Sequence, residues 1–361
     1  MNVQYNVTPD HLKEFVSDLF EGYGFQASHA ESIANNLVGA DMRGLRSHGV
    51  VRVELYLTQQ AAGGILTDTN PEIVFETPTT AVIDAHKVAG AVAGDMATEI
   101  ARKKAKEHGI AMVTVRGSNH FGGCGYFAEK LALDGMAAIV GSNTSPLMAS
   151  PVTKKAVIGN NPFCVAMPAG KYAPFNLDIS NGVMAFGKIH EYRRLNKPFP
   201  ADAWLDKDGN PTTDPFANEF IEFISLPIAG HKGYGLALMV EALTSVISGG
   251  AVAGELLPKP GHSLDENNPV SHSIIAIDLS SFGNKDEIIA RSERLVDYLH
   301  SFETRSPEMQ MFYPGEMEGI AIAKAKAEGI DVPENIINFL KEKANEINLR
   351  FPEENFVRVE R

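Results

Sequence analysis

The sequence predicts a mixed α/β (α+β) fold, in which helices from both ends of the chain surround a centre of mixed helices and strands. Three observations lead there. The first seventy residues carry helical spacing, the period becomes strand-like from about Pro71, and the last forty residues return to helix. At roughly 100–200 residues per domain, 361 residues suffice for about two or three domains and a large core.

The elements follow in order. Thr8 can cap a first helix and Pro9 suits its first position; Leu12, Phe15, Val16 and Leu19 fall at helical spacing, and Gly22 or Gly24 ends the run. Ser28 opens a second helix through Ala40, and Ser47 a third that runs to Gly63-Gly64. Residues 73–75 and 80–84 look like strands. An alanine-rich helix spans Ala89 to His108 and closes at Gly109. A strand over 110–115, a helix over 126–133 and a strand over 137–140 come next. WLDKDGNPTTDP, residues 204–215, is dense in turn residues and predicts a surface loop. Helices over 234–247 and 286–301 flank a strand over 273–278, and Pro333-Glu334 opens a final helix through Asn348.

Apolar residues make up 44% and charged residues 21%, the balance of a folded chain rather than a disordered one. With 32 basic and 45 acidic side chains the formal charge is −13, which disfavours nucleic acid or an anionic membrane as the main partner. A few local cations can still hold a small anion. Two cysteines cannot make a disulfide framework, and no basic or apolar leader opens the chain. No apolar run approaches the roughly 18 residues of a membrane helix. A cytoplasmic protein is the expectation.

The sharpest local pattern is SHGVVRVELY, residues 47–56. If Ser47 caps a helix, His48, Arg52 and Tyr56 follow at steps of four and share one face. The helix dipole disfavours a proton on a histidine near the N-terminus. Arg52 can fork two hydrogen bonds to a carboxylate, and Tyr56 can donate a third. That face suits a small hydroxy- or keto-carboxylate; the alternative is a solvated helix face.

RGSNHFGGCGYFAEKLA, residues 116–132, contains Gly123, Gly125 and Ala128 in GxGxxA form. The context fails the dinucleotide fingerprint. Seven residues separate strand from first glycine, and the next strand ends in Gly-Ser-Asn without a carboxylate. What remains is a glycine-rich loop with His120 at its mouth, open to a flat ligand or simply a tight turn. In AGHKGYGLALMVEAL, residues 229–243, glycines bracket Lys232 ahead of a strong helix, an arrangement that can hold a phosphate or be a plain turn. Metal binding finds no support: the histidines are scattered, without HExxH or CxxC spacing.

Together with GNNPFCVAMP (159–168), LDIS followed by AFGKI, and YPGE (313–316), these segments resemble the malate/L-lactate dehydrogenase family, which is separate from the Rossmann-type lactate and malate dehydrogenases. They run in the family's order from residue 44 to 316. The resemblance implies a non-Rossmann, mixed or antiparallel sheet domain for NAD or NADP, residues 76–310, inserted in a discontinuous helical domain of residues 1–75 plus 311–361. It also implies a homodimer with active sites near the subunit contact.

Carried over by residue, the substrate side matches His48, Arg52 and Tyr56, with Ser47 beside them. The acid/base matches His120, or His48 as in some members. Cofactor contacts match His48, Thr144, Asp178, Ile179, Ser180, His231, Lys232, Gly315 and Glu316, and Asp178 is a candidate to orient an imidazole. The chain departs from the family at Asn181-Gly182, which bears on cofactor contacts, and at Glu318-Gly319-Ile320, which bears on terminal-helix packing. Arg193-Arg194 are candidate cations for a 2′-phosphate. The implied reaction moves a hydride between nicotinamide and a 2-hydroxy carboxylate such as malate or lactate. Ureidoglycolate, a diketo sugar acid or a cyclic imino acid are the alternative substrates, and a non-catalytic ligand-binding relative is the alternative class.

Overall fold

The computed structural model describes residues 3–256 and 268–360. Its centre is a seven-stranded sheet. In spatial order the strands are Glu72–Glu76, Thr80–Asp84, Ile110–Ser118, Val270–Asp278, Met136–Ser142, Phe163–Ala169 and Tyr172–Ile179. Every neighbouring pair is antiparallel except Thr80–Asp84 with Ile110–Ser118. That one parallel pair is joined through the helix Gly90–His108, since parallel neighbours need a crossover. The sheet is mixed and mostly antiparallel, and its order has no doubly wound core.

One face of the sheet is lined by small side chains, among them Ala111, Val113, Ala138, Val140, Ala166 and Ala276, all buried. The alanine- and glycine-rich faces of Gly90–His108 and Cys124–Leu133 cover them. Small residues on both sides let the backbone layers approach closely, which is why those helices bury their faces against the sheet despite weak amphipathicity.

The chain ends meet. Strand Val3–Val7 pairs antiparallel with both Ile330–Pro333 and Val357–Glu360. The helix Pro9–Gly22, capped by Thr8 as expected, packs Phe15 edge-on against Phe351 at 4.9 Å. Tyr23 Oη donates to the Lys343 carbonyl of helix Glu334–Glu346 at 3.1 Å. The strand Val3–Val7 is absent from a purely helical reading of the first seventy residues. Its five residues run straight into the Thr8-Pro9 helix start, and only distant partners make it a strand.

A small satellite forms around the buried Trp204, packed among Phe186, Phe199 and Phe223. This corrects the surface loop expected over 204–215. Trp204–Leu205 and Pro211–Thr212 are paired strands, while the Asp206–Asn210 turn between them and the exposed Thr213-Asp214 behave as expected. Trp204 is apolar enough to seed a core, and that outweighs the turn residues beside it. Helix His231–Glu241 continues into a π-helical turn, Ala242–Val246, and ends at Gly249 with φ +69°. A further helix, Glu316–Glu328, follows the YPGE segment.

Candidate active site

The SHGVVRVELY segment does not start a single helix. Two 3₁₀ turns, Arg46–His48 and Val50–Arg52, meet at Gly49 and lead into the helix Val53–Ala61. Ser47 is therefore not a cap, which corrects the expectation. Its carbonyl accepts from Arg52 Nε at 2.6 Å, and its hydroxyl lies 2.9 Å from His48 Nδ1. The Val50 N–H that a cap would receive goes instead to the buried Asp41 carboxylate, at 2.8 Å. Gly49 leaves room for it.

His48, Arg52 and Tyr56 still gather, and His120 joins them. Tyr56 is buried, and its Oη lies 2.8 Å from His120 Nδ1. The His48 and His120 rings stack with centroids 5.5 Å apart. A solvated helix face is excluded for Tyr56. Burial and then the Arg52 charge depress His48 to about 4. The expected dipole of a helix N-terminus is not the cause, because no α-helix begins at His48. Burial, His48, Arg52 and His272 hold His120 well below the ordinary histidine value. Burial raises the Tyr56 phenol. The pocket thus holds two neutral imidazoles and a protonated phenol beside one fixed guanidinium.

The His120 loop is braced from three sides. Asn119 Nδ2 donates to the carbonyls of Gly64 and Val88, both at 3.1 Å. Asn36 Nδ2 donates to the Phe121 carbonyl at 3.0 Å. His272 stacks on the Phe121 ring at 3.8 Å and lies between Ser142 Oγ and Ser118 Oγ, each 2.9 Å from a ring nitrogen. Burial lowers His272 to about 3, so it stays neutral.

The glycines of GGCG serve packing. Asp178 Oδ2 accepts from Gly125 N at 2.7 Å and Asn176 Nδ2 donates to the Gly125 carbonyl at 3.1 Å. A Cβ on Gly125 would come within 2.8 Å of Asn176 Oδ1. Asp178 therefore meets the start of helix Cys124–Leu133 rather than an imidazole, because its strand runs past that helix end. Burial raises its carboxyl to about 6.

The segments expected to hold a cofactor converge in part. Thr144 N donates to Asn161 Oδ1 at 3.0 Å, and Thr144 Oγ1 to Asn160 Oδ1 at 3.1 Å. Asn181, after Ile179 and Ser180, donates its N–H to the Asn160 carbonyl at 2.8 Å and accepts from Ile228 N at 2.9 Å. Ile228 leads through Gly230 (φ +60°) into the helix His231–Glu241, whose start has no side-chain cap and exposes His231 and Lys232. The N–H groups of Lys232 and Gly233 go to the carbonyls of Ala229 (3.4 Å) and Ile228 (3.0 Å), so it is the exposed lysine, with the His231 N–H beside it, that suits an anionic group. Beneath them the buried Glu241 carboxylate accepts from Asn143 (3.2 Å), Asn161 (2.7 Å), Ser245 (3.1 Å) and Ala253 N (2.9 Å). Gly315 and Glu316 attach elsewhere on the same strand: Asn176 N donates to the Pro314 carbonyl at 2.9 Å. Glu316 accepts from His300 Nε2 and Tyr313 N, both at 3.1 Å. Arg193 is spent on the carbonyls of Pro215 and Asn218, while the exposed Arg194 has no hydrogen-bond partner among the described residues.

Sequence reasoning missed Asn36, Asp41, Asn119, Asn176, Glu241 and His272. For Asn36 and Asp41 a signal existed: polar residues on the otherwise apolar face of a long helix. The others are single polar residues in buried turns and strands, without periodicity. Among the described residues no group of three or more His, Cys, Asp or Glu is placed to hold a metal, and no helix is long and apolar enough to cross a membrane.

The family model described as malate/L-lactate dehydrogenase matches residues 7–341. The L-sulfolactate dehydrogenase of Methanocaldococcus jannaschii is 36% identical over 341 residues, 94% of this chain and 97% of that protein. A solved structure of sulfolactate dehydrogenase from that organism superposes with a TM-score of 0.87, covering 96% of this chain and 98% of that one. The ureidoglycolate dehydrogenase (NAD(+)) of Escherichia coli is 31% identical over 337 residues, 92% of this chain and 94% of that protein.

Proposed function

The chain belongs to the malate/L-lactate dehydrogenase family and is a nicotinamide-dependent hydroxyacid dehydrogenase; we propose that its substrate is a small 2-hydroxy or 2-keto carboxylate such as malate or lactate. The observation that carries this is the meeting of Arg52, His48, Tyr56 and His120 in one pocket, with Tyr56 Oη 2.8 Å from His120 Nδ1. The relatives' names, sulfolactate and ureidoglycolate dehydrogenase, support the same class.

In this reading the Arg52 guanidinium, which among the described residues bonds only to the Ser47 carbonyl through Nε, takes the substrate carboxylate. His120 or His48, each neutral, takes the 2-hydroxyl proton on oxidation and returns it to the ketone oxygen on reduction. A positioned acid/base of this kind supplies roughly 10²–10⁴ in rate. Tyr56, kept protonated by burial, holds His120 or the substrate oxygen. The nicotinamide, when bound, accepts or donates the hydride. Thr144, Asp178, Ile179, Ser180, His231, Lys232, Gly315 and Glu316 are the proposed cofactor residues, with the exposed Lys232 ammonium and the His231 N–H taking negative charge.

NAD is the proposed dinucleotide. Arg193 is committed to main-chain carbonyls, and the Escherichia coli relative carries NAD(+) in its name. A cytoplasmic location suits the two buried free thiols, Cys124 and Cys164. A homodimer is proposed from the partly uncovered apolar face of the sheet around Ile139, Val165 and Leu177.

A panel of 2-hydroxy and 2-keto acids, assayed by nicotinamide absorbance with NAD and NADP in turn, tests the reading. Turnover of at least one acid is expected, and Arg52→Ala should lower its kcat/KM steeply. A silent panel, or an Arg52→Ala protein with unchanged kinetics, overturns it.

A further inference from the structure

One helix touches the backbone beside both histidines. Asp41, 6% exposed near the end of helix Ala27–Met42, accepts from Val50 N at 2.8 Å. Val50 stands between His48 and Arg52. Asn36, 2% exposed on the same helix, donates from Nδ2 to the Phe121 carbonyl at 3.0 Å. Phe121 follows His120. The two side chains are five residues apart in sequence, about 7.5 Å of helix rise.

Each contact needs a glycine opposite. A Cβ at Gly49 would lie 2.0 Å from Asp41 Oδ1, and a Cβ at Gly122 would lie 2.3 Å from Asn36 Oδ1. Gly49 has φ −83°, which any residue adopts, so space alone demands glycine there. Gly122 also has φ +85°. The polar groups are thus seated directly against main chain, with no side chain between that could absorb a shift.

We infer that Asn36 and Asp41 are positioning residues, and that helix Ala27–Met42 acts as a ruler setting the spacing between the His48–Arg52 turns and the His120 loop. The inference rests on the function proposed above for that pocket. Neither residue touches substrate. Asp41 acts through the Val50 N–H on the turn that aims Arg52, whose own N–H donates to the Gly49 carbonyl at 2.9 Å. Asn36 acts through the Phe121 carbonyl on His120. Displacing either by about 1 Å misaligns carboxylate clamp and acid/base, and such errors cost on the order of 10²-fold.

The two contacts have opposite polarity. Asp41 must accept and Asn36 must donate. Asp41→Asn keeps an acceptor oxygen. Asn36→Asp loses the donor and sets a carboxylate against a carbonyl.

The test uses the full chain, steady-state kinetics with malate or whichever panel acid the wild-type protein turns over, and fluorescence titration with reduced nicotinamide dinucleotide. Asp41→Ala and Asn36→Asp should lose about 10²-fold in kcat/KM for the acid while the Kd for the dinucleotide holds. Asp41→Asn should recover most of the loss. The proposal is overturned if both damaging variants keep wild-type kcat/KM, if dinucleotide affinity falls in parallel, or if Asp41→Asn is as impaired as Asp41→Ala. Should Asp41→Ala not fold, the isosteric pair Asp41→Asn and Asn36→Asp decides by their opposite outcomes. Failure of the functional reading looks different: the wild-type protein turns over no acid, or Arg52→Ala is kinetically silent, and the ruler falls with it.

Discussion

Arg52 governs the charge of the pocket it shares with His48, His120 and Tyr56. Burial sets the direction of both histidine shifts, and the guanidinium adds to them. The consequence is a pH profile. On oxidation the base must be unprotonated, so activity is kept above its pKa and lost as pH falls through it. The kcat/KM profile reports the free protein, where His48 stands at about 4 rather than the ordinary 6.5. Its acid limb should therefore lie well below pH 6.5, whichever of the two depressed histidines is the base. A carboxylate on Arg52 cancels part of that charge, so the kcat limb should sit higher than the kcat/KM limb. Arg52→Gln should move the kcat/KM limb upward. A limb that does not move removes Arg52 as a cause. The residue identities of this cluster were legible in SHGVVRVELY and the His120 loop. Their electrostatics were not, because desolvation depends on what covers a side chain.

Among elements, the start of helix Gly90–His108 is a close seat of the His120 loop. A Cβ on Gly90 would lie 2.3 Å from the Asn119 carbonyl oxygen and 2.4 Å from that of His120. Those main-chain atoms cannot easily retreat, since Asn119 is latched to Gly64 and Val88. Gly90→Ala should cost about 1–3 kcal/mol in denaturant unfolding and lower kcat/KM by shifting His120. Wild-type stability and kinetics would show that the helix start yields freely. Most elements were readable from periodicity and punctuation, as Gly90–His108 closing at Gly109 illustrates. The exceptions share a cause. Two 3₁₀ turns replace the expected helix start at Ser47 because a carboxylate from another helix takes the Val50 N–H. Trp204 leaves its turn-rich surroundings because aromatic rings from separate segments enclose it. Both are long-range contacts winning over local preference.

On the scale of the molecule, the sheet face away from its helices is only partly covered. Gly141 and Ser273 lie under the π-helical turn, but the next row carries Ile139, Val165 and Leu177 as cross-strand neighbours, each 38–40% exposed. Leu236, Met239 and Val246 of the neighbouring helical segment are exposed as well. Contiguous apolar surface of this kind marks an association site. The expected assembly is a homodimer through that face, read by sedimentation. Leu177→Glu should shift it toward monomer, and a wild-type protein that sediments as a monomer rules the assembly out.

The sequence by itself determined most element types, the failure of the dinucleotide fingerprint, and the family, because these rest on spacing, residue class and ordered motifs. It also named the residues that meet in the pocket. The tertiary structure alone decided why they meet: Asp41 and Asn36 on one helix, His272 under Phe121, and glycines fitted to carboxylates and carbonyls rather than to a phosphate. Such contacts join residues far apart in sequence, through main-chain atoms that every residue carries. A local pattern can mark a buried polar residue, as on helix Ala27–Met42, but it cannot name the partner.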